Sequence, residues 1–289
     1  MARPLTVAAI QTGPCSMDTS ENLKRADALL ERALTHRPQI VCFPELFQTY
    51  FFAVNYYADS RHFFEPIPGP TTAHLARHAI AHGVNIIAGM AEITPGGERY
   101  NSAVIIDPQG EIIGKYRKAQ MPLNVSDKDY RRTYEKNYFR EGDLGFPVFD
   151  VAGARVGILI CYDRHFPEAF RVLALQGAEV IFAPTAARTW RKGWRSGMWE
   201  MLLRVRAYEN CAYIVGVNRA GQEDQTTYLG RTIIISPLGG EVLAVSEADG
   251  EDVVVATLDL DCIAQAHEEL PVARDRRPEF YGLLATAGR

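Results

Sequence analysis

Short apolar runs alternate with amphipathic stretches in the first ninety residues, and this alternation most constrains the fold. Residues 5–10, 40–43 and 84–89 are apolar runs of strand length. Between the first two runs, apolar residues recur every three or four positions over 20–35, which predicts an amphipathic helix. A second helical pattern covers 71–83. Strands joined by helices are typical of parallel pairing in an α/β fold.

Hairpins interrupt this rhythm further along the chain. Residues 101–107 and 111–116 flank one Pro/Gly turn, and 231–236 and 241–245 flank another. Strands and helices alternate again between the two hairpins, with a helix predicted over 198–210, and this alternation predicts mixed α/β sheets covered by helices. With no repeat and no linker, we expect a single domain over 1–289. Its last residues, 271–289, are charged and aperiodic and are predicted to form a C-terminal arm.

The charge balance excludes two classes of partner. Against 35 acidic residues the chain has 31 lysines and arginines, for a formal net charge of −4. An acidic chain has no general attraction for nucleic acid or for anionic membranes. No apolar run has transmembrane length, and the first residues lack the apolar core of a signal peptide. We therefore expect a cytoplasmic protein that acts on a small molecule, with no nucleic-acid or membrane partner.

The cysteines form no disulfide or zinc pattern. They occur singly along the chain, with no CxxC pair: Cys15, Cys42, Cys161, Cys211 and Cys262. An odd number of scattered cysteines is typical of free thiols in a reducing compartment. The sequence therefore predicts no metal site and no cofactor, and the question is whether one thiol is reactive.

Three polar residues each lie just past the end of a predicted strand. Glu45 and Lys118 follow apolar strands, and Cys161 stands between a strand and a helix. Side chains at the carboxyl ends of strands converge on one crevice in α/β proteins, so the three can share a site. A thiol on a strand-to-helix turn also resembles a nucleophile elbow. Taken singly, each residue has a plainer interpretation, as a core thiol or a solvated surface charge.

Local sequence decides between these interpretations. Three motifs surround the three residues: Phe43-Pro44-Glu45-Leu46, Tyr116-Arg117-Lys118 and Cys161-Tyr162-Asp163-Arg164-His165-Phe166-Pro167-Glu168. In order and approximate spacing they resemble the signature stretches of the nitrilase superfamily of carbon–nitrogen hydrolases. The similarity extends over nearly the whole chain.

The resemblance implies a fold, an assembly and a site. The implied fold is a four-layer αββα sandwich of two mixed sheets, which pairs into a homodimer or larger homo-oligomer by extending the stack. Glu45, Lys118 and Cys161 match the family's catalytic glutamate, lysine and cysteine. Glu135 matches its second glutamate, with Glu141 as the alternative because loop lengths vary there.

The chemistry requires such groups. A thiol with a pKa near 8.5 is mostly protonated at neutral pH, so a base or a cation must supply the thiolate. Glu45 can take the proton, and Lys118 can stabilise the developing oxyanion together with the backbone N–H of Tyr162. Glu135 can orient Lys118 or the substrate's amino group.

The residues after Cys161 bear on the substrate. Tyr162 and Asp163 depart from the Trp-Glu of nitrilases proper, and the motif is most similar to the N-carbamoyl-D-amino-acid hydrolase and β-ureidopropionase branches. Arg164 can pair with a substrate carboxylate, and His165 stands where the carbamoylase pattern has a second arginine. We expect Tyr162, Arg164 and His165 to bind substrate. The plainer alternative for Arg164 is a structural ion pair.

Several alternatives stay open on the sequence alone. Gln120 and Thr133 replace histidines of the D-carbamoylase pattern, which leaves N-carbamoyl-β-amino acids or simple amides as possible substrates. A broader small-amide amidase, an N-carbamoylputrescine-type amidase and a non-catalytic scaffold rank below hydrolysis of a ureido acid. Two clusters are ambiguous between pocket lining and packing or solvated surface: Phe47, Tyr50, Phe51, Phe52, Tyr56 and Tyr57, and the Arg/Trp segment over 188–199.

Overall fold

The computed structural model describes residues 3–56, 59–124, 133–189, 197–247 and 249–286. The strands are β1 (Pro4–Gln11), β2 (Ile40–Cys42), β3 (Asn85–Ile93), β4 (Arg99–Ile106), β5 (Ile112–Arg117), β6 (Leu123–Asn124), β7 (Thr133–Tyr134), β8 (Val148–Val151), β9 (Ala154–Ile158), β10 (Val180–Pro184), β11 (Tyr213–Val217), β12 (Ala220–Glu223), β13 (Thr226–Leu229), β14 (Ile233–Ile235), β15 (Val242–Val245) and β16 (Asp252–Asp259). The α-helices are α1 (Thr19–Leu34), α2 (Pro70–His82), α3 (Glu135–Tyr138), α4 (Pro167–Leu175), α5 (Met198–Asn210), α6 (Cys262–Glu269) and α7 (Val272–Asp275). None of these helices is long and apolar enough to cross a membrane.

Most strands belong to two six-stranded mixed sheets. The first has the order β16-β1-β2-β3-β4-β5 and the second the order β15-β14-β11-β10-β9-β8. In the first sheet β1, β2 and β3 are parallel, and β16 and β4 flank them in antiparallel pairing. In the second sheet β9, β10 and β11 are parallel between antiparallel β8 and β14. Two short ribbons, β6–β7 and β12–β13, lie outside the sheets.

Helices cover the outer face of each sheet. The crossovers β1–α1–β2 and β2–α2–β3 proceed in one direction across the first sheet. Because such crossovers are right-handed, they place both helices on the same face. Apolar side chains of α1 and α2 accordingly share one core cluster with that face. The helices α4 and α5 pack on the second sheet in the same way.

A continuous apolar core lies between the two sheets. Val7 and Ile105 of the first sheet and Ile158 and Phe182 of the second are fully or almost fully buried in it. Burial of apolar surface contributes about 25 cal/mol per Å², so this interior is a main source of stability. The layers run helix, sheet, sheet, helix, and the predicted αββα sandwich is confirmed.

Differences from the predicted elements are local. The helix predicted over 198–210 coincides with α5, and both predicted hairpins are present as β4–β5 and β14–β15. The ribbon β12–β13 and helix α6 were not predicted. In the segment predicted as an arm, α7 is followed by two 3-10 turns, Pro278–Phe280 and Gly282–Ala285. Residues 287–289 of that segment lie outside the described ranges.

Candidate active site

Cys161 occupies a sharp turn between β9 and α4. It begins a 3-10 turn, Cys161–His165, and its backbone has a φ of +50°. This left-handed conformation costs a residue with a side chain roughly 1–2 kcal/mol, and such strain is concentrated at functional sites. The turn leaves the Cys161 side chain only partly buried, whereas the residues directly before it, 156–160, are all buried. A strand-to-helix turn therefore presents the thiol, as the sequence predicted.

Glu45 lies just past β2 with both carboxylate oxygens engaged. Its Oε1 accepts hydrogen bonds from Asn101 Nδ2 at 2.7 Å and from Lys118 Nζ at 2.8 Å. Its Oε2 accepts one from the backbone N–H of Ala186 at 3.0 Å. The thiol of Cys161 is near enough to this carboxylate to favour its charged form and lower the Glu45 pKa. Glu45 is fully buried, so these contacts fix its position and charge.

Lys118 joins Glu45 to Glu135. Its fully buried Nζ lies 2.8 Å from Glu45 Oε1 and 2.5 Å from Glu135 Oε2. Glu135 is the first residue of α3 and is 2% exposed. Glu141, the alternative considered for the second glutamate, is instead on the surface, 3.1 Å from Lys136. The structure thus brings Glu45, Lys118, Glu135 and Cys161 together.

Burial and charge shift the pKa of every member of this cluster. Burial favours the neutral form of Glu45, but the charge of Lys118 and its hydrogen bonds outweigh this and lower the Glu45 pKa. Burial alone would lower the pKa of Lys118, yet the carboxylates of Glu135 and Glu45 raise it. Burial raises the pKa of Glu135 to about 7 against the opposing charge of Lys118. Burial and the Glu45 carboxylate raise the pKa of the Cys161 thiol to about 12.

Asp163 ties the turn at Cys161 to the segment that carries Lys118. Its Oδ2 accepts hydrogen bonds from Tyr116 Oη at 2.7 Å and from the backbone N–H of Ile160 at 3.0 Å. Its Oδ1 accepts one from the backbone N–H of Gln120 at 2.9 Å. Burial raises the pKa of this carboxyl to about 6. Asp163 therefore fixes the position of the segment that carries Cys161 relative to the segment that carries Lys118.

The three predicted substrate-binding residues occupy different positions around the thiol. Arg164 Nη1 donates to the Cys161 carbonyl at 2.7 Å and lies 3.6 Å from Cys161 Sγ. Its guanidinium also lies over the Trp199 ring at 5.5 Å. Tyr162 is partly buried and contacts the ring of the exposed His165, with 5.4 Å between ring centroids. No ion pair of Arg164 with an acidic residue is present in the described part of the chain.

A buried arginine supports the turn that carries Glu45. Leu46, the next residue, has a φ of +50°. Arg219 Nη2 donates to the carbonyl of Leu46 at 2.8 Å and to that of Glu45 at 3.1 Å, while its Nη1 pairs with Glu223 at 2.5 Å. Arg219 is fully buried, so its guanidinium takes part in holding the strained turn in shape.

The aromatic cluster is mostly packing. Tyr50, Phe51 and Phe52 belong to a small core that also contains Tyr138 of α3, while Phe47 belongs to the core under α1 and α2. Phe52 meets Tyr138 edge to face with 5.2 Å between ring centroids. This packing positions α3 and therefore Glu135. Tyr56 is 53% exposed, and Tyr57 lies outside the described residues.

Only the ends of the Arg/Trp segment are described. Arg188 lies over the Phe51 ring at 5.7 Å, and the buried Trp199 donates its indole N–H to the carbonyl of Arg231 at 2.7 Å. The intervening members of the segment lie outside the described residues: Trp190, Arg191, Lys192, Trp194 and Arg195. A role for this segment at the mouth of the site stays a prediction.

Sequence reasoning missed three residues of the site. Asn101 and Arg219 contact Glu45 or its turn, and Asp163 joins the two loops. Each is a polar residue in or beside an apolar strand or turn, a signal too common to single it out. Only the fold shows that they meet the catalytic candidates.

A thiol next to a buried carboxylate and a buried ammonium is suited to acyl transfer with an anionic tetrahedral intermediate. Comparison with known proteins agrees with this chemistry. Residues 6–268 match the carbon–nitrogen hydrolase family, and the chain belongs to that family. It is a hydrolase of carbon–nitrogen bonds other than peptide bonds, and the resemblance to the nitrilase superfamily is confirmed.

Individual relatives match the chain over nearly its whole length. It is 36% identical to an N-carbamoylputrescine amidase of Solanum lycopersicum, over 98% of this chain and 96% of the relative. It is 37% identical to a nitrilase of Pyrococcus abyssi, over 95% of this chain and 98% of the relative. Its structure is similar to a carbon–nitrogen hydrolase of Helicobacter pylori, with a TM-score of 0.89, 29% identity and coverage of 98% and 99% of the two chains.

Proposed function

We propose that this hydrolase converts an N-carbamoyl amino acid to the amino acid, ammonia and carbon dioxide, with Cys161 as the nucleophile. The observation that carries the choice of substrate is Arg164. Its guanidinium lies 3.6 Å from Cys161 Sγ, and its buried Nε has no hydrogen-bond partner among the described residues. An unsatisfied buried donor on a cation favours an anionic group in the substrate.

The first half of the proposed reaction forms a thioester. Because the Cys161 thiol has a raised pKa, Glu45 removes its proton as sulfur attacks the carbamoyl carbon, rather than beforehand. The oxyanion formed is stabilised by Lys118 Nζ and the backbone N–H of Tyr162. A donor aimed at such an oxyanion is worth about 3–4 kcal/mol of barrier. Glu45 then returns the proton to the leaving nitrogen, ammonia departs, and the carbamoyl carbon stays bound to sulfur.

The second half hydrolyses the thioester. Water enters where ammonia left, Glu45 takes one of its protons, and the resulting tetrahedral intermediate expels the sulfur. The proton held by Glu45 passes to the sulfur and restores the thiol, and the released carbamate decomposes to carbon dioxide and the amine. Every step uses side chains of this chain, so we expect turnover to need no metal or organic cofactor.

Two further groups suit a carbamoyl substrate. The side-chain oxygens of Gln120 and Thr133 are buried without a hydrogen-bond partner among the described residues. Gln120 stands two residues after Lys118, and Thr133 two residues before Glu135. A ureido group carries N–H donors that can satisfy such acceptors, whereas an ester or a nitrile carries none.

The second candidate substrate is an N-carbamoyl amine. Its support is the similarity to the N-carbamoylputrescine amidase of tomato, whose named substrate carries an amine where a ureido acid carries a carboxylate. The two candidates share the carbamoyl chemistry and differ in the charge recognised beyond it. Arg164 favours the acid, since a guanidinium beside the thiol repels a cationic substrate.

A substrate panel with matched charges tests the proposal. Ammonia release is measured for a ureido acid, a neutral alkyl urea, an aminoalkyl urea and a simple aliphatic amide of equal chain length. We expect the ureido acid to have the highest kcat/KM. A faster aminoalkyl urea would establish the second candidate, a faster simple amide would indicate a broad amidase, and silence across the panel would indicate a non-catalytic scaffold.

The role of Arg164 is tested separately with the same panel. Arg164→Ala should lower kcat/KM for the ureido acid by a factor equivalent to about 2–5 kcal/mol and leave the neutral urea little changed. Arg164→Lys should recover only part of the loss, because an ammonium lacks the forked geometry. Arg155→Ala, at a surface arginine with 41% of its side chain exposed, is the control. Equal losses on acid and neutral urea would mean that Arg164 only supports the Cys161 turn through its carbonyl.

A further inference from the structure

The helices α1 and α2 bring five metal-ligating side chains together on the outer face of the first sheet. Histidines stand at every fourth position of α2, at 74, 78 and 82, and therefore on one side of the helix. Asp27 and Glu31 stand four positions apart on α1. Both helices return from parallel strands in the same direction, so they run side by side with these two rows facing each other.

Three of these side chains converge on one point. Asp27 Oδ1 lies 2.7 Å from His74 Nε2 and 3.4 Å from His78 Nε2. The three ligand atoms all lie within 4.8 Å of one another. Zinc binds nitrogen and oxygen ligands at about 2.0–2.2 Å in tetrahedral geometry, which separates neighbouring ligands by about 3.4 Å. The Asp27–His78 pair already has this spacing, and the Asp27–His74 pair has to open by less than an ångström.

The surroundings of His78 match those of a metal ligand. While its Nε2 faces Asp27, its Nδ1 faces Glu31 Oε1 at 3.5 Å. A carboxylate on the far nitrogen of a ligating histidine fixes the ring orientation and raises its basicity. All three converging residues are partly buried, with 20–29% of each side chain exposed, so an ion can reach them and the protein restrains them.

We propose that Asp27, His74 and His78 form a site for a divalent transition metal of the zinc, nickel and copper class, which links α1 to α2. Two imidazoles and one carboxylate suit these ions, while magnesium and calcium prefer oxygen ligands alone. The site takes no part in the proposed hydrolysis. Its contribution is to stability, because a ligand that binds only the folded state stabilises it.

Arg77 regulates the affinity of this site. Its exposed guanidinium Nη2 lies 2.9 Å from His74 Nδ1 and donates a hydrogen bond to it, which leaves the ring proton on Nε2. Metal binding through Nε2 moves that proton to Nδ1, so Arg77 has to turn away. Removal of its charge therefore strengthens binding, an effect that a simple hydrogen-bonded ladder between the helices does not predict.

Titration calorimetry of the full chain with Zn²⁺ and Ni²⁺ tests the site. Wild type should show a site whose affinity falls at least about thirtyfold in His78→Ala and in His74→Ala, and rises severalfold in Arg77→Gln. His267→Ala, at an exposed position of α6, is the control and should leave the affinity unchanged. If the Cys161 thiol bound the metal instead, the affinity would be unchanged in both histidine variants, which distinguishes that binding from this site.

Two further measurements use only the wild-type protein, so their outcome does not depend on whether the variants fold. One equivalent of Cu²⁺ should give an electron paramagnetic resonance spectrum with hyperfine splitting from two nitrogens. Zn²⁺ at about a hundredfold its dissociation constant should raise Tm by about 5 °C, and the same concentration of Mg²⁺ should not. Unchanged affinity in both histidine variants, or a copper spectrum without nitrogen splitting, overturns the proposal.

Discussion

At the scale of single residues, the raised pKa of the Cys161 thiol keeps it protonated, so in the proposed mechanism it becomes a nucleophile only during the reaction. Its pKa is raised to about 12 because burial and the Glu45 carboxylate both disfavour the thiolate. Cys161→Ser should therefore lower kcat at least about a thousandfold, since Glu45 cannot activate a hydroxyl as it activates a thiol. Ammonia release measures the loss. The Tm should change by less than 3 °C, and Cys262→Ser, at a partly buried thiol, should keep its activity.

Glu135 makes stability depend on pH in a direction opposite to most carboxylates. Burial raises its pKa to about 7 in the folded protein, against an ordinary value of 4.5. Between these values the folded state keeps the proton that the unfolded chain releases, so stability falls as pH rises. Relative to wild type, Glu135→Gln should therefore gain about 2–3 kcal/mol in free energy of unfolding between pH 5 and pH 8.

Urea unfolding of wild type and Glu135→Gln at both pH values measures this gain. The difference between the two pH values cancels any constant effect of the substitution on packing. Glu141→Gln, on the surface beside Lys136, is the matched control and should give a difference under about 0.5 kcal/mol. A flat difference for Glu135→Gln would mean that its carboxyl is ionised throughout this range.

At the scale of elements, the turn after β2 of the first sheet depends on a residue that follows a strand of the second sheet. Arg219 follows β11 and donates to the carbonyls of Glu45 and Leu46. Arg219→Lys keeps the charge but loses the forked contact, so it should lower the free energy of unfolding by about 2 kcal/mol and kcat by about tenfold. Denaturant unfolding and ammonia release measure the two effects. Exposed Arg231→Lys should change neither, and normal kcat in Arg219→Lys would show that the turn holds without Arg219.

How far the sequence predicts these elements depends on where their stabilising contacts come from. The helical period of α5 is visible in the sequence of α5 itself, and the bounds predicted for it, 198–210, agree with the structure. The four-residue α3 is too short to show a period; it depends on packing of Tyr138 against Phe52, which is distant in sequence. Glu135 was therefore identified through resemblance alone, and Arg219 was not singled out, because its contacts with Glu45 span 174 positions.

The same reasoning explains the histidine row. The spacing of His74, His78 and His82 is visible in the sequence, but the carboxylates that complete the cluster lie on α1. This histidine row contains no cysteine, so it does not match a cysteine-based zinc motif. Only the right-handed crossovers, which place α1 beside α2, bring Asp27 to His74 and His78.

At the scale of the whole molecule, the candidate active site lies at the junction of the two sheets. Glu45 and Lys118 follow strands of the first sheet, whereas Cys161 follows a strand of the second. The contacts of Glu45 with Cys161 and with the backbone of Ala186 therefore cross from one sheet to the other, whereas its ion pair with Lys118 joins two strand ends of the first sheet. Correct geometry of the site requires the interior between the sheets to be packed, so mutations there affect activity and stability together.

The helical layer on the second sheet exposes an apolar surface on the side away from the first sheet. A second copy of the chain can cover this surface. Met201, Val205 and Tyr208 of α5 are each 44–55% exposed, and Leu283 and Leu284 near the C-terminus are 84% and 65% exposed. Apolar patches of this kind mark interaction surfaces. Because this face is carried by the helical layer of the sandwich, pairing through it would extend the stack of layers, which is the assembly that the family resemblance implies.

We therefore predict a homodimer that pairs through α5 and the C-terminal turns. Light scattering at micromolar concentration should give twice the monomer mass of 32.2 kDa, or a whole-number multiple of that dimer mass. Val205→Glu with Tyr208→Glu should give a monomer, because two buried unpaired carboxylates cost several kcal/mol at an interface. Met17→Glu, an equally exposed residue before α1, should stay dimeric. A monomeric wild type contradicts the prediction, and a double variant that stays dimeric places the interface elsewhere.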